Sequence, residues 1–176
     1  LNANTGPGLT YQWYVDTTLI PGATAANYTP NATGLYRVRV YSSPSCYGLS
    51  NPVYFIVNPL PNATISTTIG GFAICQNDTL IMNANLGSGF TYQWKLNGTN
   101  ITGATSSSYT ANASGSYTVV VTNTSTCSAT STATVVTVNA LPTATITPAT
   151  ATTFCQGGSV VLNANTGTGL SYQWFN

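Results

Sequence analysis

The sequence contains no histidine, two acids (Asp16 and Asp78) and three bases (Arg37, Arg39 and Lys95), so charged side chains are 3% of its 176 residues. These shortages remove most of enzymology. General acid–base catalysis wants a titratable pair in one pocket, and zinc or calcium wants imidazole, clustered thiolate or several carboxylates. Neither set exists here, and no catalysis, metal or cofactor is expected. A net charge of +1 without a basic cluster leaves no footprint for nucleic acid and no polybasic grip on a membrane surface. No run approaches the roughly 18 apolar residues of a membrane span, and none has the order of a secretory signal. A membrane-embedded chain is therefore not expected. Nor does any segment carry a 3.6-residue apolar period, so almost no helix is expected.

What is abundant is Thr, Ser, Asn, Gly and Tyr, arranged in a repeat. The phrase Leu1-Asn2-Ala3-Asn4 before Tyr11-Gln12-Trp13 returns as Met82-Asn83-Ala84-Asn85 before Tyr92-Gln93-Trp94, and again as Leu162-Asn163-Ala164-Asn165 before Tyr172-Gln173-Trp174. The tryptophans are 81 and 80 positions apart, a period that reads as one domain fold repeated as beads on a string. Proline stops strand pairing, which places the boundaries at Asn58-Pro59-Leu60-Pro61 and Asn139-Ala140-Leu141-Pro142. Residues 62–142 are then one whole bead, 1–61 a bead lacking its first strand or more, and 143–176 the beginning of a third. The chain reads as a window on a longer array.

Within the whole bead, short alternating runs are separated by Gly, Asn, Ser and Thr turns about every ten residues, the pattern of an all-β sandwich. Expected strands are Thr79–Asn85, Tyr92–Leu96, Ser107–Thr110, Ser116–Thr122 and Ala129–Asn139. Gly87-Ser88-Gly89 and Asn97-Gly98 supply turn residues that tolerate positive φ. Trp94 on the third strand, followed by Tyr117 at the start of the sixth, is the pattern of an immunoglobulin-like core with a tyrosine corner. Trp13 and Tyr36 repeat it in the first bead, and Trp174 takes the same core position in the third.

The combination Cys-Gln-x-x-x-Val/Leu, Tyr-Gln-Trp, Pro/Thr-Gly-Ala-Thr, Gly-x-Tyr-x-Val-x-Val and a late Cys resembles the immunoglobulin-like repeats of large secreted Bacteroidetes surface proteins, of the type carried with a gliding-motility-associated C-terminal sorting module. The resemblance covers all three copies. It implies tandem immunoglobulin-like β-sandwiches in a head-to-tail array, at the cell surface or outside the cell. In that bacterial group the relevant sugar motif is Asp-Ser/Thr followed by an apolar residue or Thr. Asp16-Thr17-Thr18 and Asp78-Thr79-Leu80 match it, which makes Thr17 and Thr79 candidate O-glycosylation sites.

The cysteines are not where an antibody-type bridge would put them; Ala84 and Val119 occupy those places, as Ala3 and Val38 do in the first bead. Cys75 and Cys155 instead precede the second strand, while Cys46 and Cys127 follow the sixth. A recurring, His-free set favours disulfides over metal. Strands two and six run in the same sense, so Cys75 and Cys127 fall at opposite poles, several tens of Å apart at about 3.3 Å per residue. A disulfide wants Cα atoms within about 7 Å. Bridges between adjacent beads meet that limit; a Cys75–Cys127 bridge within one bead and free or interchain thiols stay open beside them.

The two fuller beads differ most on one face. On the sixth strand of the first, Tyr36, Val38 and Val40 point inward, so Arg37, Arg39 and Tyr41 point outward. Tyr14 joins them from the third strand, and Tyr54 and Ile56 are expected to join from the seventh. Aromatic residues with Arg are the usual composition of contact hot spots, although a cross-strand ladder that only stabilises the sheet has the same composition. Three functional classes follow. One is a structural or adhesive fibre whose partners are copies of itself, head to tail and side by side. Another is a carbohydrate-binding module that takes surface glycans on Tyr14, Tyr41 and Tyr54. The last is a passive spacer in a larger secreted enzyme. With so few charges for repulsion, the fibre is the leading reading.

Overall fold

A computed structural model describes residues 1–68 and 70–176, and none of the described residues is helical. The chain divides into two units, Leu1–Leu60 and Pro61–Asn176.

The first unit holds β1 (Thr10–Val15), β2 (Thr18–Leu19), β3 (Gly34–Ser43), β4 (Cys46–Leu49) and β5 (Val53–Phe55). They form one antiparallel sheet in the order β2-β1-β3-β4, with β5 also on β3. Opposite, the Leu1–Ala3 segment pairs with 26–28: Ala3 N–H donates to the Ala26 carbonyl at 2.7 Å and Tyr28 N–H to the Leu1 carbonyl at 2.9 Å. Trp13, Tyr36 and Val38 are buried between these layers.

The second unit holds β6 (Ile65–Thr67), β7 (Ala73–Cys75), β8 (Leu80–Ala84), β9 (Thr91–Leu96), β10 (Thr99–Asn100), β11 (Ser108–Ala111), β12 (Gly115–Thr122), β13 (Ser128–Thr130) and β14 (Thr134–Asn139), and then β15 (Ile146–Pro148) and β16 (Leu162–Ala164). One sheet runs β10-β9-β12-β14-β7 with β13 on β12, the other β11-β8-β6, and β15 pairs with β16. The first strand is thus shared between sheets: β6 lies antiparallel to β8, and β7 parallel to β14. Two sheets closed in this way over a Trp on the third strand make an immunoglobulin-like β-sandwich. Alternation along β12 builds the core. Tyr117, Val119 and Val121 are buried while their neighbours are half-buried, as a period of two requires. Trp94 is fully buried and stands directly across from Val119, among Leu80, Met82, Ala84 and Val136.

The repeated phrase is explained almost residue by residue. Trp94 Nε1 donates to the Ser106 carbonyl and Trp13 Nε1 to that of Ala25, both at 2.9 Å. Gln93 Nε2 reaches the Trp94 and Ile101 carbonyls at 2.9 Å, and Gln12 makes the same pair of bonds to Trp13 and Ile20. The hydroxyls of Tyr11, Tyr92 and Tyr172 donate to the carbonyls of Asn4, Asn85 and Asn165. Tyr117 donates to the Ala113 carbonyl at 3.0 Å and Tyr36 to that of Ala32 at 2.9 Å. Each bond reaches back four residues, as in a tyrosine corner.

Two expectations are corrected. The seventh strand is not continuous over Ala129–Asn139 but breaks into β13 and β14 at 131–133. At the break Ser131 N–H donates to the Val119 carbonyl at 2.9 Å, and its hydroxyl accepts from Val119 N–H at 3.1 Å. The serine side chain stands in for the departing backbone. Ser50 does the same for Val38, ahead of Pro52, which has no N–H to donate. Trp174 is not in a core but 48% exposed; among the described residues the third copy forms β15 and β16 alone.

Candidate functional site

The outer face of the first unit's sheet is built on β3, where Arg37, Arg39 and Tyr41 are half-buried opposite the buried Tyr36 and Val38. Register brings Tyr14 opposite Arg37 from β1, and Leu49 and Tyr47 opposite Arg39 and Tyr41 from β4. The Arg39 guanidinium consequently lies between two rings, its Cζ 4.8 Å from the Tyr14 centroid and 4.6 Å from that of Tyr47. The negative ring faces attract the cation on both sides. Tyr41 packs on Tyr47 at 5.3 Å with a 48° tilt. Burial and a hydrogen bond with Tyr41 push the Tyr14 phenol above the ordinary 10.0, against the pull of Arg39. The bond to Tyr41 likewise raises Arg39, which stays charged. The Nε atoms of both Arg37 and Arg39 are buried and have no hydrogen-bond partner.

Two hollows flank Tyr14. The smaller, about 190 Å³, is lined by Tyr14, Asp16, Thr17, Arg37, Arg39 and Leu49. The larger, about 800 Å³, includes Tyr11, Gln12, Tyr14, Leu19 and Tyr41 in its wall. Asp16 itself is a turn residue with φ 55°, and its Oδ1 accepts from Leu35 N–H at 3.0 Å. Asn97 has the same geometry in the second unit, with φ 50° and its Oδ1 2.9 Å from Ser116 N.

Not every residue expected on this face joins the cluster. Tyr54 pairs with Leu35 at the other end of β3, and Tyr54 and Ile56 are 60% and 64% exposed. Their place beside Arg39 is taken by Tyr47 and Leu49, which sequence reasoning missed. A signal was available: the 81-residue offset sets Tyr47 and Leu49 against Ser128 and Thr130, at the start of the seventh strand. The same offset sets Tyr14, Arg37, Arg39 and Tyr41 against Lys95, Thr118, Val120 and Thr122. The ring–guanidinium cluster therefore belongs to the first bead alone.

Among the remaining candidates, Cys75 ends β7 opposite Asn139, whereas Cys127 lies in the turn before β13. Cys46 opens β4, and Cys46, Cys75 and Cys155 are exposed. Among the described residues, Cys46, Cys75 and Cys155 form no disulfide in this structure. Thr17 and Thr79 are exposed, in the β1–β2 turn and just ahead of β8. Among the described residues no three His, Cys, Asp or Glu side chains gather as a metal site would need, and no helix is long and apolar enough to cross a membrane.

No protein-family profile matches the chain, and no curated protein matches it. Solved structures similar to it include murine CEACAM1b, at 13% identity and TM-score 0.39, over 77% of this chain and 88% of that one. An amphioxus IgVJ-C2 molecule is similar at 14% identity and TM-score 0.36, over 76% and 91%. The four N-terminal Ig domains of Dscam1 isoform 4.44 give 15% and 0.35 over 74% of this chain, which spans 38% of that structure. Likeness at this level says nothing of ligand or role.

Proposed function

We propose that the chain is a stretch of a structural and adhesive extracellular repeat protein, in which immunoglobulin-like beads set head to tail form a bacterial surface fibre or filament and no catalysis takes place. The observation that carries this is the use made of the repeated residues. Trp, Gln, Tyr and Asn of the shared phrase are spent on hydrogen bonds that close the bead, so what the repeat preserves is a fold and not a reactive group. A chain with five formally charged side chains also has little electrostatic protection against association, which suits lateral packing. In this reading 62–142 is the repeating unit, Cys46, Cys75, Cys127 and Cys155 pair with cysteines of adjacent beads, and Thr17 and Thr79 carry O-glycan. Electron microscopy of the native, unreduced protein tests the array. Ordered strings or laterally packed filaments with a bead-length repeat are expected; featureless monomers without association would overturn the fibre.

A further inference from the structure

We infer that the outer face of the first bead binds an acidic polysaccharide through a hexuronate residue, its carboxylate held by Arg37 and Arg39 in the smaller hollow and the neighbouring sugar ring laid against Tyr14 and Tyr41 in the larger. This rests on the adhesive reading of the array and names what it adheres to.

Charge selects the occupant. Two of the chain's three cations stand two residues apart on one face of β3 and share one hollow. The Nε atoms of both are buried, which leaves the terminal amino groups of each guanidinium as the donors for a ligand. A second copy of this chain offers them little. It brings two carboxylates: Asp16 already lies in the hollow and accepts Leu35 N–H, which leaves the exposed Asp78 alone to meet two guanidinium groups. An external anion fits the pair better, and the planar fork of a guanidinium matches a carboxylate.

The rings narrow the class further. Nucleic acid presents a phosphate at every nucleotide and is held by many cations; here there are two, and Asp16 shares their hollow. A polyuronate offers what the face can use: a carboxylate on a ring whose C–H faces lie flat on tyrosine. Tyr14 forms the wall between the hollows, and Arg39 is clamped by Tyr14 and Tyr47, so the site is ordered before ligand arrives and little is lost on binding. The second bead, with Thr118, Val120 and Ser128 at the matching places, has no such site.

The test is affinity electrophoresis of the whole chain in gels containing polygalacturonate, its fully methyl-esterified form, neutral dextran or dextran sulfate. Retardation by polygalacturonate alone is expected. Arg37→Gln should weaken it at least tenfold with an unchanged melting midpoint, since Arg37 is not part of the ring clamp. Lys95→Gln, which removes the same charge from the second bead, should leave it unaltered. No retardation by polygalacturonate, equal retardation by the ester, or equal loss in Lys95→Gln overturns the inference. Retardation by dextran sulfate equal to that by polygalacturonate overturns it in favour of charge alone. Bead strings seen in micrographs would stand in all these cases, so failure here removes the ligand and not the array.

Discussion

At the scale of the residue, hydroxyls inside the sandwich determine stability alongside its largest side chains. Ser131 is 6% exposed and is the one acceptor given to Val119 N–H where the seventh strand breaks. Replacing it with alanine removes few atoms but strands a buried donor, which costs about 1–3 kcal/mol. Tyr117→Phe removes the bond to the Ala113 carbonyl while keeping the ring against Tyr109 at 5.9 Å, and should cost about 1 kcal/mol. Urea unfolding of the two variants gives the comparison. Ser131→Ala as stable as the parent would mean that the strand break does not depend on the serine. The tyrosine corner was legible in the sequence because Tyr36 and Tyr117 recur with the same flanking glycine and valines. Ser50 and Ser131 recur just as faithfully, but a serine among many serines and threonines carries no signal until a broken ladder is seen beside it.

At the scale of the element, register decides what the sequence left open. Strand positions were legible to within a residue or two for β8, β9, β11 and β12, because alternation and turn residues agree there. The seventh strand was not, since its break is made by a side chain, and with it went the true neighbours of Arg39. Register also places the cysteines. Cys75 is opposite Asn139 at the end of β14, and Cys127 immediately precedes Ser128 at the start of β13. The length of the seventh strand lies between them, on the order of 30 Å at strand rise, against about 7 Å for a disulfide. Peptide mapping of native, unreduced protein should therefore yield no Cys75–Cys127 peptide and should find its disulfides between beads. A Cys75–Cys127 peptide would sink the inter-bead arrangement, and the same map, showing only unmodified Thr17 and Thr79, would remove the O-glycans.

At the scale of the whole molecule, poverty in charge becomes a statement about pH. With no histidine and two acids, little in the chain titrates between about pH 5 and 7, so its melting midpoint should be nearly level there. The alkaline side differs. Burial raises the phenols of Tyr14 in the first bead and Tyr117 in the second, the latter also through Tyr109 nearby. In the unfolded chain both ionise at the ordinary value, so above it the unfolded state binds fewer protons than the folded one. By linkage, stability then falls as pH rises. The contribution is complete below 10.0 and is lost as pH climbs through the raised folded values. Thermal unfolding followed stepwise into alkali, with tyrosinate absorbance recorded alongside, should show the midpoint dropping before the phenols of Tyr14 and Tyr117 ionise in the folded protein. Tyr117→Phe should lower the midpoint at neutral pH yet flatten the alkaline decline. A decline as steep as the parent's in both that variant and Tyr14→Phe would assign the loss to repulsion among exposed tyrosinates instead of to the raised phenols of Tyr14 and Tyr117.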